Sequence, residues 1–252
     1  MSTTRRTPVE SGQEPLRAPA PTPPRRRVWL LELYRSALGK KYVMAVTGIV
    51  LMAYVLAHMV GNLKIYLGRS ELNQYAEWLR DMGYPALPHS ALLWTVRTVL
   101  LISFVLHIHA AYALTVMNRR ARPVGYQSKR DYVAASFAAR TMRWTGVIVG
   151  LFVVFHLMDL TWGSANPQFI KADVYHNVVT SFQRWPVALV YVVANIALGY
   201  HLFHGAWSLF QSLGWNQRRF NHWRRYFAVA FATVIVVGNV SFPIAVVTGI
   251  VA

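Results

Sequence analysis

The feature that most constrains this chain is its division into long apolar blocks that carry almost no charge. Five such blocks lie at about residues 41–66, 91–117, 141–163, 187–212 and 226–250. A helix of roughly twenty apolar residues crosses the hydrocarbon core of a bilayer, and a helix satisfies its own backbone hydrogen bonds there. The sequence therefore predicts an all-α membrane protein with five transmembrane helices.

Composition supports this prediction. Hydrophobic residues make up 55% of the 252 residues and charged residues 14%, whereas soluble domains carry about 25% charged residues. We expect one membrane domain over residues 28–252, preceded by a basic, proline-rich and disordered cytoplasmic tail over residues 1–27. Residues 28–40 and part of the connection 67–90 are predicted to form short surface helices.

The net charge of +17 is concentrated in one set of connections. Nine Lys and Arg residues lie up to residue 41, seven within 118–143 and four within 213–225, against five in the connections 64–90 and 164–186 together. Basic residues concentrate on the cytoplasmic side of membrane proteins, so we predict a cytoplasmic N-terminus and an outer C-terminus. This distribution argues against nucleic-acid binding and favours contact with anionic lipid or an acidic partner.

Four of the five predicted spans carry histidine at membrane depth. An imidazole is costly in hydrocarbon and marks a functional site. The chain has no cysteine, so thiolate-ligated iron–sulfur clusters are excluded, and any iron would be held by nitrogen or oxygen. In order of the four spans, these histidines are His58, then His107 and His109, then His156, then His201 and His204.

Depth along each helix pairs these histidines. With a rise of about 1.5 Å per residue, His58 and His156 lie in the outer halves of two outward-running spans. His109 and either His201 or His204 lie in the inner halves of two inward-running spans. The two layers are roughly 10–15 Å apart at helical rise. Two haems, each clamped by histidines from both faces, would fit this arrangement.

Helical geometry limits which histidines can act together. His107 and His109 point about 200° apart, so they cannot both face one centre. His201 and His204 share a helix face, so one could ligate iron while the other bonds a haem propionate or a backbone carbonyl. Arg97, six residues inside the outer end of the second span, is a candidate propionate partner, or it snorkels to the interface.

Two simpler interpretations of the histidines remain open. They could form polar contacts between helices, or they could bind a transition metal, although Asp159 is the only acidic residue in the five spans. The fifth span has no histidine and Asn239 as its strongly polar interior group. We therefore predict a haem-binding bundle of the four histidine-bearing helices plus a fifth packing helix. No internal repeat is expected.

Several motifs together resemble a known family, over about residues 30–250. The chain resembles the cytochrome b membrane-anchor subunit of succinate:quinone oxidoreductases and fumarate reductases, in its single-polypeptide, five-helix, di-haem b558 form. The matching stretches are HMVGNLK at 58–64, HAAY at 109–112 leading to NRRARP at 118–123, FHLMDLTWG at 155–163 and HLFHGAWSLFQSLG at 201–214.

The resemblance implies two haem b groups and their ligands. His58 and His156 would hold an outer, low-potential haem, and His109 and His201 an inner haem. The resemblance thus favours His109 over His107 and His201 over His204.

The resemblance also implies partners and an activity. A flavoprotein subunit with FAD would oxidise succinate, an iron–sulfur subunit would dock on the basic inner connections, and electrons would pass through the haems to menaquinone or another quinone. This chain would then be a non-flavin subunit of succinate dehydrogenase, multi-pass in the bacterial inner membrane, with the direction of the reaction and any higher oligomer left open.

Two residues near the outer face are candidates for the quinone and proton site. Asp159 would conduct protons or bond the quinone, or else it pairs structurally with Lys64 or Arg69. Trp162 would lie at the quinone site or belong to the aromatic belt. Two alternatives to a di-haem anchor of succinate dehydrogenase remain open. One is a haem-free anchor with a quinone pocket, and the other is a self-contained transmembrane di-haem quinone reductase.

Overall fold

A computed structural model describes residues 29–121, 137–215, 217 and 221–252. Regular structure within these residues is helical throughout, which confirms the all-α prediction. The helices are α1 (Trp29–Arg35), α2 (Ala37–Asn62), α3 (Arg69–Asp81), α4 (Ala91–Arg120), α5 (Phe137–Leu160), α6 (Val174–Gln183), α7 (Trp185–Ser212) and α8 (Asn221–Val247), with a 3₁₀ turn at Leu63–Leu67.

Five of these helices, α2, α4, α5, α7 and α8, are long and apolar enough to cross a membrane. The five-span prediction is therefore confirmed, with helix ends that differ from the predicted ones by a few residues. The predicted tail, residues 1–27, lies outside the described residues, as does most of the basic connection between α4 and α5.

The first surface helix is separated from the first span at Ser36. The Ser36 hydroxyl accepts a hydrogen bond from the Gly39 backbone N–H at 2.9 Å, which is an N-cap for α2. The Lys40 ammonium donates to the carbonyls of Tyr34 and Arg35 at 2.8 and 2.9 Å, where a cation stabilises the end of α1. Residues 37–40, predicted to belong to the surface helix, therefore begin the span.

The two ends of the bundle are built differently. We call the end where α2 begins the tail end, and the end where α2 and α5 finish the loop end. Two short helices, α3 and α6, pack against each other at the loop end. Helix α3 was predicted, whereas α6 falls in a connection that was expected to be merely polar.

Asp173 joins the two loop-end helices. Its carboxylate accepts the His176 backbone N–H at 3.1 Å, capping α6, and it also accepts hydrogen bonds from Asn73 at 2.9 Å and from Arg69 of α3. Burial acts to raise the pKa of Asp173, but the hydrogen bonds from Asn73, Arg69 and His176 and the Arg69 charge outweigh it and lower the pKa below its ordinary value.

Helix α8 packs mainly on α7 and also contacts α2 and α6. The approach of α7 and α8 is close at Gly199, where a Cβ would lie 2.4 Å from Cγ2 of Val236. Small residues permit such close helix contacts in membranes. The histidine-bearing helices pack as α2 with α4, α5 with α7, and α2 with α7, so the fifth span completes the bundle from one side.

Candidate functional site

His58 of α2 and His156 of α5 face each other near the loop end. Their ring centroids are 5.8 Å apart, with the ring planes at 55°. Tyr54, one turn before His58, contacts that ring edge-on at 5.4 Å, and Phe152 lies 5.9 Å from the His156 ring. We call His58 and His156 the loop-end pair.

Each ring of the loop-end pair has a polar partner behind it. The His58 Nδ1 lies 2.7 Å from the carboxamide of Asn62, one turn further along α2. The His156 Nδ1 lies 3.3 Å from the hydroxyl of Tyr191 on α7. In both rings it is therefore Nδ1 that is engaged, which leaves Nε2 as the nitrogen available to a ligand.

Behind Tyr191 lies a buried carboxylate. Asp159 has no solvent exposure. It accepts hydrogen bonds from the Tyr191 hydroxyl at 2.9 Å, from the Arg184 guanidinium at 2.6 Å and from the Ser181 hydroxyl. Arg184 also donates to the Ala165 carbonyl at 2.8 Å. The network thus runs from the start of α7 inward to the ring of His156.

Asp159 forms an ion pair, but with a residue other than the two that were predicted. Lys64 pairs with Glu71 at 3.3 Å, and Arg69 pairs with Asp173, so neither reaches Asp159, which pairs with Arg184. Trp162, the other predicted residue of this region, is 63% exposed just beyond α5. It stands apart from the buried network.

The second facing pair consists of His107 on α4 and His201 on α7. Their ring centroids are 6.4 Å apart, with the planes at 63°. We call these two residues the tail-end pair. The prediction favoured His109 instead of His107. The structure turns His109 away from His201 and stacks it on Tyr34 of α1, centroids 5.8 Å apart, with a hydrogen bond between the Tyr34 hydroxyl and Nδ1.

His107 lies against a Thr-Gly step of α2. The Thr47 Oγ1 is 3.1 Å from the His107 Nδ1. At Gly48, a Cβ would lie 3.5 Å from the His107 Cε1. The threonine therefore engages Nδ1 while the glycine lets the ring lie close to the helix backbone.

His201 lies against an equivalent step of α5. The Thr145 Oγ1 is 3.5 Å from the His201 Nδ1, and a Cβ at Gly146 would lie 3.3 Å from the His201 Cε1. Both rings of the tail-end pair thus have a hydroxyl at Nδ1 and a glycine beneath them.

These contacts point to a short sequence repeat that was not predicted. Thr-Gly, nine residues and then His occurs in α2, from Thr47 to His58, and again in α5, from Thr145 to His156. At helical rise, the ten residues from Gly48 to His58 correspond to roughly 15 Å. Each outward span therefore supports a tail-end ring and supplies a loop-end ring at the same separation.

Two further predicted residues lie near these pairs. His204 presents a buried Nδ1 with no hydrogen-bond partner among the described residues. A buried polar atom of this kind needs a partner, so His204 suits an additional acceptor or donor. Arg97 places its guanidinium 5.0 Å from the centroid of the Trp94 ring, a cation–π contact on an exposed part of α4.

The geometry of both pairs fits one particular kind of cofactor. With metal–nitrogen bonds of about 2 Å, as in zinc–imidazole sites, two rings on opposite sides of one metal have centroids roughly 6 Å apart. The observed separations are 5.8 and 6.4 Å. No group of three or more His, Asp or Glu side chains forms a metal site within the described residues. The paired imidazoles with engaged Nδ1 atoms are residues that would hold a haem iron.

Residues 118–240 match the family model described as succinate dehydrogenase/fumarate reductase transmembrane subunit. The matched region includes α5, α7, the end of α4 and most of α8. No curated protein and no solved structure was found to match the chain. Over this region, which is slightly less than half of its length, the chain is similar to the transmembrane subunit of succinate dehydrogenase or fumarate reductase.

Proposed function

We propose that this chain is the di-haem cytochrome b anchor of a succinate:menaquinone oxidoreductase, of the five-helix b558 form. The observation that carries the proposal is the presence of two facing histidine pairs at two depths, each with Nδ1 engaged. A bare anchor would have no need for two such pairs with metal-like spacing. The family match indicates the complex, and the histidine pairs support the cofactors.

The loop-end pair, His58 and His156, would hold the outer haem. For the inner haem we propose His107 and His201, because the ring of His109 lies against Tyr34. The unpaired Nδ1 of His204 and the guanidinium of Arg97 are candidates for haem propionates. When bound, the two haems would supply one-electron transfer between the complex's iron–sulfur protein and a quinone.

The chain's own residues orient these ligands. An axial histidine is held by the partner of its second nitrogen, which fixes the tautomer and the ring orientation. Thr47 and Thr145 act in this way on the tail-end pair, and Tyr191 does so on His156. The apolar helices around them exclude water, which is one of the factors that set haem potential.

The loop end is the proposed place of quinone reduction. Quinone reduction takes up two protons, and Asp159 is the acidic residue nearest to the loop-end pair. We propose that Asp159, which pairs with Arg184, belongs to the proton and quinone site as a proton-conducting or hydrogen-bonding group, and that the exposed Trp162 borders the quinone.

The rest of the reaction belongs to other subunits. A flavoprotein with FAD would hold the succinate site, and an iron–sulfur protein would dock on the basic connections at the tail end, which we place on the cytoplasmic side of a bacterial inner membrane. The chain has no cysteine to hold iron–sulfur clusters itself.

The test is a pyridine haemochrome assay on the complex purified through this chain, together with a dithionite-reduced spectrum. We expect two b haems per chain, with large flavin and iron–sulfur subunits present, and one haem fewer in His58→Ala. A complex without haem would overturn the proposal and leave a quinone-binding anchor. Two haems without the large subunits would instead indicate a self-contained di-haem reductase.

A further inference from the structure

We propose that Tyr191 is a positioning residue that transmits the charge of the buried Asp159 carboxylate to the His156 ring. It thereby lowers the reduction potential of the centre at the loop-end pair. This inference rests on the proposed function, because it takes His156 to be an iron ligand.

Counting donors and acceptors gives the direction of the hydrogen bonds that link His156, Tyr191 and Asp159. A tyrosine hydroxyl has one proton to donate, and Tyr191 donates it to the Asp159 Oδ2 at 2.9 Å. In the remaining contact, 3.3 Å from the His156 Nδ1, the hydroxyl oxygen must accept and the ring must donate. His156 is therefore protonated at Nδ1, with the Nε2 lone pair free for a metal.

Packing holds the Tyr191 hydroxyl in place. Tyr191 is 4% exposed, and its ring is surrounded edge-on by Phe152, Phe155 and Phe182, with centroids 5.0, 6.0 and 4.7 Å away. A hydrogen-bond chain in such a dry environment polarises its members more strongly than it would in water. Arg184 pairs with one carboxylate oxygen of Asp159, Oδ1, while the other, Oδ2, polarises the imidazole through the Tyr191 hydroxyl.

These hydrogen bonds should change the reduction potential of the loop-end centre in a definite direction. A Tyr191 oxygen that donates to a carboxylate is a stronger acceptor, so it draws the Nδ1 proton of His156 and makes Nε2 a better electron donor. A more basic axial ligand stabilises the oxidised metal, and axial ligation with its hydrogen bonds is a principal control on haem potential. The tail-end pair instead has neutral partners, namely the threonine hydroxyls at Nδ1 and the backbone of Met44 and Met142.

Three substitutions separate this effect from general damage. Tyr191→Phe keeps the packed ring and removes the hydroxyl. Asp159→Asn keeps a hydrogen-bonding side chain and removes the charge. Ser181→Ala removes one donor from Asp159 without touching Tyr191, and so leaves the carboxylate a stronger acceptor. Tyr226→Phe, 67% exposed on α8, is the matched control.

The experiment is a redox titration of the purified complex, followed optically and by the low-spin EPR signal of each haem. The loop-end haem is identified as the one missing from His58→Ala. In Tyr191→Phe and Asp159→Asn we expect its potential to rise and its EPR signal to shift, with the other haem unchanged. In Ser181→Ala we expect its potential to fall, and in Tyr226→Phe no change.

Several results would overturn the proposal. They are an unchanged loop-end haem in Tyr191→Phe, equal shifts of both haems, or shifts of the same sign in Ser181→Ala and Tyr191→Phe. Loss of the loop-end haem alone from Tyr191→Phe would also overturn it, because Tyr191 would then only hold the ligand in place. If Asp159→Asn fails to assemble, the opposite signs expected for Tyr191→Phe and Ser181→Ala still decide. Absence of haem from the unmodified complex would instead overturn the proposed function before any variant is compared.

Discussion

The loop-end pair and the tail-end pair each consist of two imidazole rings, but the residues around the two pairs differ. The ring separations are alike, 5.8 and 6.4 Å. Behind His156, however, lies a tyrosine attached to a buried ion pair, whereas His107 and His201 rest on threonine hydroxyls and glycines. One helical bundle can therefore repeat the spacing of two imidazoles while the electrostatic surroundings of each pair differ. Two chemically identical cofactors could thereby acquire different potentials.

The largest expected effect comes from removing one histidine of the tail-end pair. His107→Ala should remove one haem per chain, because His107 is the imidazole that faces His201 among the described residues, whereas His109→Ala should retain both haems. Haem content per chain and the reduced spectrum measure this. Loss of a haem in His109→Ala, with both retained in His107→Ala, would restore the sequence-based choice of ligand.

The next effect concerns the glycines beneath the tail-end rings. Gly146→Val places branched carbons where even a Cβ would be 3.3 Å from the His201 ring, and overpacking of this kind costs about 1–3 kcal/mol. We expect weaker retention of the tail-end haem, measured as haem content after washing in detergent. Gly48→Ala is the gentler control, since its Cβ would make an ordinary contact of 3.5 Å with His107. Equal loss in both variants would contradict this account.

A smaller effect should follow from removing the threonine hydroxyls. Loss of the partner of an axial ligand typically costs about 10-fold or more in metal affinity. Thr47→Val should weaken the tail-end haem more than Thr145→Val, because the distances to Nδ1 are 3.1 and 3.5 Å. The loop-end haem should not change in either variant. Haem-binding titrations of the depleted complex provide the measurement, and a change in the loop-end haem would show that the two layers are not independent.

The smallest effect concerns pH and lies outside the spans. Because the pKa of Asp173 is lowered in the fold, its stabilising contribution is present at neutral pH. It is lost as pH falls below the ordinary value of 3.8 towards the lowered one. The hydrogen-exchange protection factors of α3 and α6, corrected for the intrinsic exchange rate at each pH, should then decrease, while those near the tail-end pair stay constant.

Asp173→Ala should reproduce this loosening at neutral pH, at about 1 kcal/mol for a lost N-cap. The same hydrogen-exchange measurement applies to this variant. A decrease of these protection factors on raising the pH would contradict the assigned sign.

The sequence predicted the spans well because their signal is strong. An apolar block of bilayer length has few alternative structures, and depth along such a block brought His58 and His156 to the same layer. Helix α6 was missed because its residues are mixed in polarity, although Asp173 was a usable N-cap signal.

The choice between His107 and His109 could not be made from depth. The two residues differ by about 3 Å along the axis and are separated only by direction around it. The network behind His156 could not be predicted either, since Asp159 on α5 and Arg184, between α6 and α7, are 25 residues apart. The repeated Thr-Gly step was present in the sequence and needed only a comparison of α2 with α5.

The contact between Tyr34 and His109 bears on how the protein chooses between two neighbouring imidazoles. A long apolar helix has no strong preference for its rotation about its own axis in lipid. Holding His109 on the outside of the bundle turns α4 so that His107 points inward. The short helix α1 before the first span thus helps to fix the rotation of α4, and with it the direction of the His107 side chain.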